Sequence, residues 1–147
     1  MNKFIKSLFT ILALGITLSA CDKNDGPNVN NETQEVSALM QNGTWRITSY
    51  KDDRRDLTSM FTDYTFTFGG SNQLTALLGT NTYTGTWSIT VDDDGPNDLD
   101  FNIFFSNPNT LRELNEDWDI ISRTESKIVL SDDDDDIEED VLIFEKQ

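Results

Sequence analysis

Few residues in this 147-residue chain could do covalent or acid–base chemistry. There is one cysteine, Cys21, and no histidine. The commonest general base and the commonest metal ligand are therefore missing, and a single thiol can form no internal disulfide. Carboxylates remain. Asp92-Asp93-Asp94 and Asp132 to Asp136 offer the oxygen ligands that calcium takes. Neither run follows the EF-hand order of alternate acids, a glycine and a distal glutamate, so solvated acidic turns are expected. Asp117 and Asp119 could form the carboxylate pair of a glycosidase. They flank Trp118, however, and residues two apart on a strand share a face, so they point away from it and toward solvent. The sequence predicts no enzyme, no cofactor and no bound metal.

Cys21 itself follows a stretch with the layout of an export signal. Lys3 and Lys6 form a positive start, and residues 8–20 are apolar or small and uncharged. That run is too short for a transmembrane helix, which needs about 20 apolar residues. Its ending, Leu18-Ser19-Ala20-Cys21, resembles the lipobox of bacterial lipoproteins. The resemblance implies that residues 1–20 are a signal peptide, removed before Cys21. It also implies that the Cys21 sulfur is diacylated and the new amino terminus acylated, giving a membrane partner through lipid. Two or more acyl chains anchor stably where one binds only marginally. The alternative is an ordinary signal peptide cut nearby, with Cys21 an unpaired thiol.

Removing residues 1–20 would leave 127 residues, one domain's worth. It would take away two lysines and no acid, moving the formal charge from −16 to −18. Nucleic-acid phosphates are held by Lys and Arg, so no nucleic-acid partner is expected. Anionic headgroups would be repelled, leaving the anchoring to the lipid. Residues 21–32 read as a flexible tether with too few apolar side chains to bury a core. Asp22 and Asp25 resemble, interrupted by Lys23, the surface-export signals of some Gram-negative lipoproteins, consistent with an outer-membrane location.

The domain that remains, residues 33–147, must position any site. Thr33 to Met40 predicts a short helix with Thr33 as N-cap, one face of Val36, Leu39 and Met40, and a stop at Asn42-Gly43. Eight segments then alternate apolar and polar residues. They cover residues 45–50, 64–68, 73–78, 82–91, 99–105, 117–123, 127–130 and 137–144. Single helical turns are expected over 57–61 and 110–115. No helix is long enough for a parallel crossover. An all-β, eight-stranded antiparallel up-and-down barrel with one or two short helices follows, because a meander of this length can close and remove its edges. Thr, Ser, Asp and Asn fill the outward positions, so this is no membrane-spanning barrel.

Gly43-Thr44-Trp45, Tyr64-Thr65-Phe66-Thr67-Phe68, Gly85-Thr86-Trp87 and Leu114-Asn115-Glu116-Asp117-Trp118 resemble the lipocalin-like domains of Gram-negative lipoproteins and, more distantly, the lipocalins. The resemblance covers residues 44–146. It implies that Trp45 closes the barrel floor and that an arginine covers it. The last strand has no arginine, so that role is unfilled or falls to Arg123.

Two functions compete. One is a binding module holding a small apolar ligand in the barrel, with Tyr64, Phe66, Tyr83, Trp87, Phe101 and Trp118 as its lining. The other is a structural or protein-interaction lipoprotein whose barrel is filled, as eight strands permit. Family analogy tips the sequence reading toward the ligand. Gly85 and Ala76 are the only small inward residues, so any pocket is expected beside them. Phe104, Ile121 and Val129 fall on outward faces as an anomalous apolar patch, covered either by the helix at Val36 to Met40 or by a partner.

Overall fold

In the computed structural model, which describes residues 29–91, 99–132 and 140–147, the alternating segments become strands. These are β1 (Trp45–Asp52), β2 (Arg55–Asp56), β3 (Tyr64–Phe68), β4 (Gln73–Leu78), β5 (Asn81–Val91), β6 (Leu99–Phe104), β7 (Asp117–Thr124), β8 (Lys127–Asp132) and β9 (Asp140–Lys146). β2 is a two-residue return at the end of β1 that the sequence reading does not anticipate. The other eight pair in chain order, and β9 pairs back onto β1 from Trp45↔Lys146 to Lys51↔Val141. The result is the expected closed, eight-stranded antiparallel barrel. Two seams are thin: β1 meets β3 through Trp45↔Phe66 alone, and β6 meets β7 through three pairs ending at Asn102↔Asp117.

The faces follow the alternation with one instructive exception. Strict period two in β1 would put Trp45, Ile47 and Ser49 inside and Tyr50 outside. The register against β9 shifts between Ile47 and Ser49. This bulge inserts one residue and inverts the phase beyond it. Tyr50 is consequently buried, along with Trp45 and Ile47. A second shift between Ile120 and Ser122 in β7 leaves Ile121 as the extra residue, 57% exposed.

Each end of the barrel is closed. Helix α1 (Val29–Gln41) starts earlier than expected, taking in residues 29–32 of the predicted tether and placing Thr33 inside the helix rather than at its cap. Val36 and Met40 are fully buried, and the helix packs on β3 and β5. Glu35 pairs with Arg123 near the end of β7 at 3.6 Å. The chain turns at Gly43, whose φ of +102° favours glycine, and enters β1 at Trp45. The indole N–H of Trp45 donates to the Met40 carbonyl at 2.9 Å. The Lys146 ammonium sits 5.4 Å from the centre of the Trp45 ring. Trp45 thus takes its expected place at the floor. Its cationic cover is Lys146 of the last strand, not Arg123, which is engaged with Glu35. Opposite charge and ring quadrupole make this contact worth about 0.5–2 kcal/mol.

The connection 105–116 closes the other end around helix α2 (Asn109–Arg112). Phe105, Leu111, Leu114 and Trp118 are fully buried there. Asn115 bridges the base of this connection, accepting from the Phe105 N–H at 2.6 Å and donating to the Phe105 carbonyl at 2.9 Å. The Trp118 indole donates to the Leu114 carbonyl at 3.2 Å, and the Tyr50 hydroxyl to the Glu113 carbonyl at 2.5 Å.

Candidate functional site

The strands bring all six predicted ligand residues into one continuous series of ring contacts. Trp118 meets Tyr50 at 6.0 Å, Tyr50 meets Phe61 at 5.6 Å, and Phe61 meets Tyr64 at 6.0 Å. Tyr64 touches Tyr83 at 6.4 Å and Phe66 at 6.0 Å. Phe66 leads through Phe144 to Phe68, which contacts Trp87 at 5.3 Å and Phe101 at 5.5 Å. These separations are those of favourable edge-to-face and offset pairs. A void large enough for a ligand would leave its lining open to a water-sized sphere. Phe66, Phe101 and Trp118 have no such area, and Tyr64 and Trp87 keep 4% each. Tyr83 is half-buried at the β5 edge of this series.

The space expected beside Gly85 and Ala76 is also occupied. A Cβ at Gly85 would overlap the Phe104 carbonyl oxygen and stand 2.7 and 2.9 Å from Cδ1 and Cε1 of Phe105. The glycine therefore admits the Phe105 ring rather than a ligand. Ala76 is fully buried.

Burial governs the titratable groups inside. Desolvation pushes the Tyr50 phenol well above its ordinary range, reinforced by the charges of Asp52, Asp140, Glu113 and Glu116. Tyr64 is raised by burial and by Tyr83. Neither phenol has a shift that would make it a base near neutrality. Asp117 and Asp119 lie on the outer face and are exposed, as expected. Among the described residues no group of three or more acids, histidines or cysteines could hold a metal. Asp92 to Asp94, Asp133 to Asp136 and Cys21 lie outside the described residues, as does the expected start of the last strand at 137–139. None of the helices among the described residues is long and apolar enough to cross a membrane.

The expected apolar patch assembles only in part: Val129, opposite Ser122, lies beside Ile121, but Phe104 does not join them. By register Ile121 lies beyond Asp119↔Asp100 toward the α1 end, whereas Phe104 lies beyond Asn102↔Asp117 toward the other. About six strand residues, roughly 20 Å at 3.3 Å each, separate them. Helix α1 covers the barrel floor instead of this face, and Phe104 stays 56% exposed.

What the surface does offer is concave and polar. One cleft of about 300 Å³ crosses the outer face of β5 and β6 and the start of β7, with Thr86, Ser88, Asn102, Phe104 and Asp117 in its lining. A second, about 550 Å³, lies at the α2 end beside Tyr50, Asp52, Arg112, Glu113 and Asp140. The sequence shows neither directly, because three strands and two connections contribute to the first, and two strands, α2 and the connection after it to the second. Its single usable signal was Phe104, an aromatic residue at an outward position among polar neighbours.

No family model matches this sequence, and no curated protein matches it. Among solved structures, the chain is similar to the crystal structure, at 1.00 Å resolution, of a DUF4847 family protein from Bacteroides vulgatus. The two share 14% sequence identity with a TM-score of 0.51, over 76% of this chain and 97% of the other. At that identity the likeness extends to the barrel fold.

Proposed function

We propose that this protein is a non-catalytic lipoprotein of the outer membrane whose barrel is a solid scaffold, displaying its outer surface for recognition. The observation that carries the reading is the interior itself: buried rings from Trp118 to Phe101 in unbroken contact. A carrier of small apolar molecules needs a pocket of about 300–1,000 Å³ lined largely by apolar groups. The two clefts of that size here open on the outside and are lined mainly by polar and charged side chains.

The lipid anchor rests on the Leu18-Ser19-Ala20-Cys21 sequence. The position of α1 fits it. Seven residues, 22–28, lie between Cys21 and the start of the helix. The 13-residue helix spans about 20 Å along its axis and ends at the barrel floor. An acylated Cys21 would therefore hold the α1 end nearest the bilayer and leave the outer face of β5 to β7 accessible from the side.

Native mass spectrometry of protein extracted from its own membrane tests both halves. The expected mass is the chain from Cys21 plus covalent acyl groups, with no retained apolar molecule. A stoichiometric non-covalent apolar ligand would overturn the solid-scaffold reading. An unacylated Cys21 would overturn the anchor.

A further inference from the structure

The cleft across β5, β6 and β7 has a regular construction. Ser88 lies opposite Asn102, and Asn102 opposite Asp117. This sets three polar side chains in a row on neighbouring strands, about 4.8 Å apart. One step along, Thr86 lies opposite Phe104. Phe104 is the one aromatic side chain among the large apolar residues that stay exposed in the described structure. Asn72, in the turn before β4, borders the cleft on one side and Glu116 on the other.

Four of these side chains are uncommitted among the described residues. The side chains of Asn72, Thr86, Ser88 and Asp117 make no hydrogen bond to another described residue. The Asn102 amide donates to Thr90 Oγ1 at 2.9 Å, which leaves its carbonyl oxygen as an acceptor. The cleft wall is stiffened by the two Asn115–Phe105 hydrogen bonds. Donors and acceptors are thus held on a pleated sheet beside one exposed aromatic side chain.

The lining selects among ligand classes. An apolar molecule would strand the hydroxyls and carboxamides without partners. An anion would meet two carboxylates and no Lys or Arg. A neutral sugar answers both features: its C–H face stacks on an aromatic ring, and its hydroxyls both donate and accept. We propose that this cleft binds a neutral saccharide, with a sugar ring on Phe104 and its hydroxyls on Ser88, Asn102 and Asp117. The volume, about 300 Å³, is at the lower end for small-molecule sites and suits one or two sugar units of a chain that continues into solvent. This goes beyond the scaffold reading above. That reading fails if an apolar ligand is found inside the barrel; this one fails at the cleft, whatever the interior holds.

The test uses the full chain in detergent, run by affinity electrophoresis through gels containing neutral glucan, mannan, galactan or xylan. Spermine titrated calorimetrically serves as the cationic probe. At least one polysaccharide should retard the protein. Phe104→Ala should weaken that binding tenfold or more, and Ser88→Trp, which fills the cleft, should abolish it. Leu77→Ala, an exposed apolar change on β4, should bind as wild type, and all three should keep the wild-type melting temperature. If Phe104→Ala fails to fold, Ser88→Trp alone decides. The proposal is overturned if none of the four polysaccharides retards the wild type, if retardation survives Ser88→Trp, or if spermine binds in their place.

Discussion

Gly85 supplies the sharpest test of the filled interior. It lies mid-strand on the inward face of β5, paired with Leu74, where alanine would ordinarily be the better residue for a strand. A methyl group there would overlap the Phe104 carbonyl oxygen and approach two Phe105 ring carbons at 2.7 and 2.9 Å. The ring could turn away, but the carbonyl is backbone and can move only with β6. β6 is pinned by six pairs to β5, from Thr86↔Phe104 to Val91↔Leu99. Overpacking costs about 1–3 kcal/mol, occasionally more, and a clash with backbone puts Gly85→Ala near 3 kcal/mol. Against a total of about 5–15 kcal/mol, this should lower the melting temperature by roughly 10 °C. Urea unfolding followed by tryptophan fluorescence measures it directly. Phe105→Ala should be destabilising alone, by about 3–5 kcal/mol. The double variant should lose less than the two single losses together, because the residues share a contact. A Gly85→Ala midpoint equal to wild type, or strictly additive losses, would refute the claim that Phe105 fills the space above Gly85.

Four further outcomes follow. Trp87→Ala, at a buried position whose indole donates to the Gly69 carbonyl at 3.0 Å, should cost about 3–5 kcal/mol in the same urea assay. Deleting residues 29–41 should uncover Trp45 and the barrel floor, giving lower stability and new binding of a hydrophobic dye. Because the folded-state pKa of Tyr50 is raised above its unfolded value, the phenol's contribution is complete below about pH 10 and lost as pH rises through the folded value. Stability should therefore fall in alkali, and Tyr50→Phe should flatten that fall while losing the bond to Glu113. Cys21→Ser should abolish incorporation of a fatty-acid analogue in metabolic labelling; unchanged labelling would remove the lipoprotein reading.

Much of the fold was legible because half-buried strands write their faces into the sequence. The run from Thr82 to Ile89 alternates threonine or serine with Tyr83, Gly85, Trp87 and Ile89, and the structure turns the second set toward the core. The bulges in β1 and β7 were not legible. An extra residue in a strand leaves no compositional trace, and one slip turns every later side chain over. Tyr50 moved from the outer set to the core for that reason. Phe104 and Ile121 were read as neighbours because strands adjacent in the chain were assumed to pair along their full length. The short β6–β7 ladder of three pairs separates them.

The identity of the site was hidden by a deeper degeneracy. Tyr64, Phe66, Tyr83, Trp87, Phe101 and Trp118 would line a ligand cavity or fill a core with the same apolar pattern, since alternation reports only which face is turned from water. The difference is made by volume arriving from elsewhere in the chain. Here the connection 105–116 folds into one end of the barrel, delivering Phe105 over Gly85 and burying Leu111 and Leu114, with the Leu114 carbonyl accepting from the Trp118 indole. Val36 and Met40 of α1 close the other end. In sequence Phe105 reads as the inward end of the strand at 99–105, Leu111 and Leu114 as the inward side of one helical turn, and Val36 and Met40 as a face of an entry helix, with nothing to fix their depth. Once both ends are plugged, the open hydrogen-bonding capacity of the β5–β7 sheet lies outside, on Thr86, Ser88, Asn102 and Asp117 around Phe104. The same closure that removes an interior site makes the outer cleft the place where a ligand can be recognised.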